Sequence, residues 1–396
     1  MPTVFSTLLL LVVLLSLKFP HTSPFLLAPS FTPRSTSLAS TPPPTTPPTP
    51  LNSLQSQVSN LRKIIAKEYS TFFQPIYPEY YSPTVSFTDP MVSFTGLSKY
   101  ESNIATIGGR NLLGSLLFDP SDSRIILHTI TGGDVTSASS SSPSFTDIVT
   151  RWTLTATFKP TQSRIIFTGI STYNVKLQND KVIVSDQLDS WDSINLQPGG
   201  TYLPVSTLTG IKDFVDQAFV KGPSQKVSDS EIPYLTVRRA KDYTVRKYPT
   251  STWIQIPYDR REEGYEKLGR VVKGYENKVL KPCRFDINDK NSDSKIMSWC
   301  IGYGDDPSIP PSIQTSLQSF SATIQTSPER TVAVLNIPEA TPNTVKTAEQ
   351  QLIKYLETDG LTPSPSSSLV FAQYDEVFKM GKRRVEVWKD VTSIWN

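Results

Sequence analysis

Leu54, Val58, Leu61, Ile64, Ile65 and Phe72 recur at helical spacing, which predicts an amphipathic helix over residues 51–73. Residues 77–81, with prolines nearby, close it. Strand-like runs follow at 84–87, 124–130, 148–158, 164–177 and 181–189. Residues 99–117 read as one or two helices broken at Gly108 and Gly109, and 137–144 as a serine-rich loop joining two strands. Helices first and a long antiparallel sheet afterwards give an α+β unit. Pro198, Gly199 and Gly200 end it; 208–220 predicts a short helix and 221–230 a polar linker.

In the second half, 234–239 and 243–248 predict a hairpin and 253–256 a further strand. A helix follows over 264–275, with Tyr265, Leu268, Val272 and Tyr275 on one stripe and Lys267, Arg270 and Lys273 mostly away from it. The order then comes round again. A hairpin is predicted at 320–325 and 331–337, and a helix at 342–358 with the stripe Val345, Ala348, Leu352 and Tyr355. Thr341 is its N-cap, Pro342 its first residue and Gly360 its stop signal. Residues 370–374 and 383–388 are closing strands. Hairpin, helix and strand occurring twice predict an internally duplicated α+β domain. Two helices on a curved sheet leave a groove suited to a ligand.

The 396 residues divide into a presequence and Pro-rich spacer (1–50), a first domain (51–197), a linker (198–230) and a second domain (231–396). The apolar run at 8–17 is too short to span a bilayer and fits a signal-peptide core. Residues 25–40 are rich in Ser and Thr and lack acidic residues, which is transit-peptide composition. A signal core followed by such a segment resembles the bipartite presequence of algae with complex plastids, with Phe25 at the cut. Plastid is therefore the expected location, and a secreted or endomembrane one the alternative. The absence of an Asn-x-Ser/Thr sequon agrees with the first.

Charge and chemistry narrow the function by exclusion. A net charge of +3, without a long basic run, gives no reason to expect nucleic acid as a partner. Cys283 and Cys300 are the two cysteines; they lack CxxC spacing, which argues against structural zinc and leaves one bridge or two free thiols open. No Walker loop, GxGxxG or GxSxG occurs. The two histidines are His21, in the presequence, and His128, in a strand, so the second domain has no His triad or multi-His metal site. Asp89, Asp119, Asp186, Asp189 and Asp192 fall at turns and strand ends of the first domain. An enzyme there would need Asp89, His128 or Asp186 inside a closed cavity.

EIPYLTVRRAKDYTVRKY (231–248), GYEKLGRVVKGYENK (264–278), ERTVAVLNIPEATPNTVKTAEQQLIKYLETDGL (329–361) and VFAQYDEVFKMGKRRVEVWKDV (370–391) resemble four segments of the SOUL haem-binding family, in order. The resemblance implies a distorted β-barrel with two helices and an apolar cleft for haem or another tetrapyrrole, held non-covalently. It implies a cleft lined by Tyr265, Leu268, Val271, Val272 and Tyr275, with Arg261 or Lys267 meeting the propionates. Residues 278–293 (KVLKPCRFDINDKNSD) depart from the family's usual Met-Thr-x-Pro-Val stretch. With no His in the domain, Cys283, Met297 and nearby Tyr residues are the axial-ligand candidates. FTDP (87–90), FTGLSKY (94–100) and VSDQLDSWD (184–192) resemble a SnoaL-like cone-shaped α+β domain, over 54–194. The expected function is non-enzymatic tetrapyrrole binding for transport, buffering or sensing, at a thylakoid or lipid-droplet surface. The alternatives are an enzyme acting on a small hydrophobic substrate in the cone and a ligand-free scaffold for protein contacts.

Overall fold

The computed structural model describes residues 51–137, 143–219, 229–287, 295–304, 309, 311–365, 368–375 and 383–393. The presequence and spacer, the middle of the serine-rich loop, most of the linker, 288–293 of the departing segment and 376–382 of the closing motif lie outside them.

The elements of the first half follow its periodicities. Helix α1 (Leu51–Ser70) buries Leu54, Val58, Leu61, Ile65 and Tyr69. It stops short of residue 73 because Phe72 and Phe73 take positive φ, 51° and 56°. After a 3₁₀ turn (Pro78–Tyr80) come β1 (Tyr81–Thr88), β2 (Ser93–Thr95), α2 (Leu97–Ile107), α3 (Leu112–Leu117) and β3 (Arg124–Gly132). Gly109, at φ +67°, makes the helix break. Next are β4 (Val135–Ser137), β5 (Ser144–Phe145), β6 (Ile148–Phe158), β7 (Ser163–Gln178) and β8 (Lys181–Trp191). A six-stranded sheet has the order β2-β1-β8-β7-β6-β3. It is not wholly antiparallel: β1 lies parallel to β8, with Phe87 opposite Gln187. Short β9 (Leu196–Gln197) and β10 (Thr201–Tyr202) and helix α4 (Thr207–Phe219) follow.

Two compact units emerge from the contacts. Among the described residues, the first takes in 51–104, 130–149 and 172–189; the second takes 105–129, 150–171 and those from 190 on.

The large sheet of the second unit is built from a repeated pattern. The first copy comprises β12 (Thr244–Tyr248), β13 (Ser251–Pro257), α5 (Arg261–Val271), β14 (Leu280–Ile287) and β15 (Lys295–Tyr303). The second comprises β16 (Thr323–Ser327), β17 (Arg330–Ile337), α7 (Pro342–Thr358), β19 (Leu369–Gln373) and β20 (Val385–Ser393). Strand β11 (Leu235–Arg239) precedes them, α6 (Pro311–Ser319) lies between them and β18 (Thr362–Pro363) follows α7. The sheet order is β11-β12-β17-β20-β19-β14-β15-β13-β16, with β18 on β20. Without β11 the order is symmetric about the β19–β14 pair, and each copy lends its first strand to the other: β12 pairs with β17, and β16 with β13.

This exchange corrects one expectation. Residues 320–325 and 331–337 do not form a hairpin, because β16 pairs with β13 while β17 pairs with β12 and β20. It also fixes the shape. Strands β12 and β13 stand second and eighth in the order, yet Pro249 and Thr250 alone join them. In a flat sheet they would lie about 29 Å apart, and a two-residue link reaches about 11 Å. The sheet must therefore roll. Among the described residues its edges β11 and β16 do not pair, so the expected distorted barrel is an open roll.

Rolling gives the sheet two buried faces. On one, α5 and α7 close a core containing Ile254, Ile256, Leu268, Phe285, Leu352 and Val387. On the other, Ile232, Tyr248, Trp253, Val332, Val334 and Trp388 pack without any helix, which is possible only inside the roll.

Candidate functional site

Helix α5 starts three residues earlier than expected and ends at Val271. Gly274, at φ +82°, turns the chain out, and Tyr275 begins a 3₁₀ turn (Glu276–Lys278) rather than extending the helix. Glu262 and Glu263 occupy the first turn, where they complement the helix dipole. The helix presses onto the sheet at Gly264: a Cβ there would lie 2.5 Å from Met297 Cε and 3.2 Å from Tyr258 Cβ.

The seven residues expected to line a cleft fall into three groups. Leu268, Val271 and Val272 are fully buried in the protein's own core. Tyr265 and Tyr275 are half-buried at its edge. Arg261 and Lys267 are cationic, but Lys267 pairs with Glu263 one turn back. Arg261 lies over the faces of Phe285 (5.1 Å) and Phe371 (5.4 Å), which stack on each other at 4.4 Å. Its Nη2 donates to Gln373 Oε1 at 2.8 Å, while its buried Nε has no acceptor.

Tyr265 meets Phe285 and Trp299, each ring at 6.0 Å, and its buried hydroxyl faces the Cys283 thiol. Burial, and then the neighbouring Cys283, raise that hydroxyl far above the ordinary tyrosine range. Burial pushes the Cys283 thiol up to about 12, so it is neutral at physiological pH. Both cysteines are free thiols. Of the axial-ligand candidates, Met297 is fully buried beneath Gly264 and Cys283 holds its proton.

The inner face of the roll is filled. Glu386, fully buried, accepts from Arg246 Nη1, Tyr374 Oη and Trp388 Nε1, each at 2.9 Å, and Arg384 bridges it to Glu231. Burial alone would raise the Glu386 carboxyl; the guanidinium groups of Arg246 and Arg384 outweigh it and hold the carboxyl below its usual range.

In the first half, the acidic residues singled out from sequence are engaged locally. Asp89 accepts from the backbone N–H groups of Met91 and Val92 and shapes the β1–β2 turn. Asp119 does the same for Ser121. Asp186 is exposed and accepts from Ser86 Oγ at 2.5 Å; Asp189 accepts from Gln187 Nε2 at 2.8 Å. Asp192 is buried against Arg151 at 2.6 Å. His128 Nε2 lies 2.8 Å from Thr153 Oγ1, and burial lowers the imidazole to about 4, so it is neutral. Among the described residues no group of three or more His, Cys, Asp or Glu could hold a metal ion.

Sequence reasoning missed Glu68. It is fully buried on α1 and accepts from Tyr81 Oη at 2.5 Å and from the Tyr77 N–H at 2.8 Å. Tyr100 Oη donates to Gln187 Oε1 at 2.7 Å, and the hydroxyls of Tyr69 and Tyr173 lie 3.0 Å apart. Burial raises Glu68 to about 7 despite these donors. Its position on the helical stripe beside Ile65 was the available signal.

Residues 230–390 match the SOUL heme-binding protein family, and 59–185 match an uncharacterized conserved protein family (DUF2358). No curated protein sequence matches the chain. A putative scytalone dehydratase from Novosphingobium aromaticivorans is similar in structure at 9% identity and TM-score 0.27, over 36% of this chain and 86% of that one. A hexachlorocyclohexane dehydrochlorinase from Novosphingobium barchaimii gives 8% and 0.28, over 38% and 94%. A putative transcription regulation protein from Staphylococcus aureus gives 10% and 0.23, over 38% and 99%. Likenesses this weak carry no argument about this chain.

Proposed function

We propose, because residues 230–390 match the SOUL haem-binding family, that this protein binds haem or a related tetrapyrrole non-covalently on the α5 side of its rolled sheet, for transport, buffering or sensing in a plastid. The family match carries this reading, because it spans both copies of the repeat from Ser230 to Asp390. The packing supports the side chosen: the inner face is occupied by Trp253, Tyr248 and Trp388, whereas Tyr265, Tyr275 and Trp299 are half-buried apolar groups on the helix face. Burying such rings against a flat macrocycle is worth on the order of 25 cal/mol per Å² of apolar surface. In this reading the iron supplies redox and absorbance properties, while the protein supplies apolar contact and hydrogen-bond donors. A thylakoid or lipid-droplet surface belongs to the same proposal as the place of delivery.

The test is a titration of haemin into the full chain, followed by absorbance. A saturable shift of the Soret band is the expected result. A strictly linear, protein-independent response would remove the proposal. A fluorescent fusion of the full chain, viewed in an algal cell with a complex plastid, tests the location; exclusion from the plastid would refute that part alone.

A further inference from the structure

On the first unit, helix α1, the 3₁₀ turn after it and the β7–β8 hairpin border a cavity of about 360 Å³. At roughly 30 Å³ per water, that is room for about a dozen. Its walls are short, braced pieces of chain. Asn179 and Asp180 both take positive φ, 50° and 59°, so the β7–β8 turn is of the tight two-residue kind, and it presents Asp180 and Lys181. The 3₁₀ turn presents Glu79 and Tyr80. Buried Glu68 grips that turn on both flanks, through the Tyr77 N–H at 2.8 Å and the Tyr81 hydroxyl at 2.5 Å. From α1, Asn60 Nδ2 donates to the Tyr80 hydroxyl at 2.9 Å, and Gln57 Oε1 accepts from the Val182 N–H at 2.9 Å. The cavity is therefore held in shape by its own hydrogen bonds, which lowers the ordering cost of binding.

Small-molecule pockets are mostly apolar, and this one is lined by polar side chains, so its ligand must match them group by group. Gln57 keeps its NH2 group to donate and Asn60 its oxygen to accept; the Tyr80 oxygen, accepting from Asn60, keeps its own hydrogen to give. Among the described residues Glu79, Asp180 and Lys181 form no ion pair. Donors and acceptors thus alternate around one space. A cationic ligand meets Lys181 there, and an anionic one meets Glu79 and Asp180. A hydroxyl group both donates and accepts and carries no charge, so several hydroxyls on one ligand satisfy all of these groups at once. We propose that this cavity binds a neutral, hydroxyl-rich ligand, a sugar or other polyol. The site goes beyond tetrapyrrole binding and does not depend on it: every group it uses lies outside residues 230–390.

The experiment is saturation-transfer NMR on the full chain with four probes, each titrated alone: glucose, galactose, choline and glucose 6-phosphate. Glucose or galactose should give a saturable signal and the smallest dissociation constant of the four. Asp180→Asn and Glu79→Gln should each weaken that binding about tenfold, because a charge-assisted hydrogen bond to a hydroxyl gives way to a neutral one. Asparagine tolerates the left-handed φ at position 180, and Glu79 is exposed, so both variants should melt with the natural protein. If either melts early, Lys181→Gln, also at an exposed position, takes its place and should weaken the sugar while strengthening choline. A fall in sugar affinity in any of these variants keeps the proposal. Sugar binding that all of them leave unchanged lies elsewhere and overturns it. Choline or glucose 6-phosphate binding more tightly than both sugars overturns it too, by making the cavity a cation or an anion site. No saturable signal from any probe removes the site altogether. Haemin takes no part in these measurements, so the tetrapyrrole reading stands or falls by its own titration.

Discussion

Glu68 and Glu386 are both fully buried carboxyls, in opposite surroundings. Glu386 faces two guanidinium groups; Glu68 faces phenols and one backbone N–H. For Glu68 the folded protein favours the neutral acid, with burial raising it from 4.5 to about 7. Its folded-state value lies above the unfolded one, so the stability linked to the neutral form is complete below about pH 4.5 and is lost as pH rises through 7. A rise of that size corresponds to about 3 kcal/mol. Glu68→Gln should therefore be more stable than the natural protein at pH 8, with the gap closing towards pH 5. Urea denaturation at the two pH values measures it; a gap that does not change with pH would contradict the assignment. Glu386→Ala leaves Arg246 buried without its counter-charge, while Arg384 keeps Glu231, and should cost roughly 3–5 kcal/mol in the same assay. Neither environment was legible in the sequence. A glutamate on a helical stripe announces its burial but not its neighbours, and those come from residues as distant as Tyr81 and Arg246.

At the scale of elements, local signals and structure agree where the cause is local. Helix α7 begins and ends where Thr341, Pro342 and Gly360 place it, and the Thr341 side chain completes a capping box with Thr344. Thr341→Ala should lower stability by about 1 kcal/mol, read from the thermal midpoint. Helix α5 was placed three residues late because its start depends on contact with β13 and β15 more than on a cap: Arg260 offers no side-chain cap. Gly264 marks that contact. Gly264→Ala should cost roughly 1–3 kcal/mol by lifting the helix off Met297, and Met297→Ala should recover part of the loss. A strictly additive double mutant would argue that Met297 is not what the new methyl meets. Helix α6 went unforeseen because only Ile313 and Leu317 tie it to the core, too few for a period.

Over the whole second unit, strand β11 and helix α7 are held by residues that precede position 231. Thr153 Oγ1 donates to the Thr236 carbonyl at 2.8 Å, and Arg239 Nε donates to the Ile166 carbonyl at 2.8 Å. Arg239 also pairs with Asp213, and the Gly199 N–H donates to the Thr358 carbonyl at 2.7 Å. A chain beginning at residue 231 loses all four partners and should melt well below the full protein in calorimetry. An equal melting temperature would show that the family domain stands alone.

The sequence by itself did not show β14, β15 or α6, but it determined the α+β class, most of the longer helices and strands, and the family resemblance of the second half. Each of these is written in short-range periodicity, capping residues and contiguous motifs. Tertiary structure alone decided that β16 pairs with β13 rather than β17, that the sheet rolls without closing, and that the inner face fills with Trp253 and Trp388. It also decided that Arg261 buries a donor, its Nε, without an acceptor. Strand pairing is settled by register between residues some seventy positions apart. A hydrogen bond left unmade depends on every group around it, so neither is carried by any local stretch of the chain.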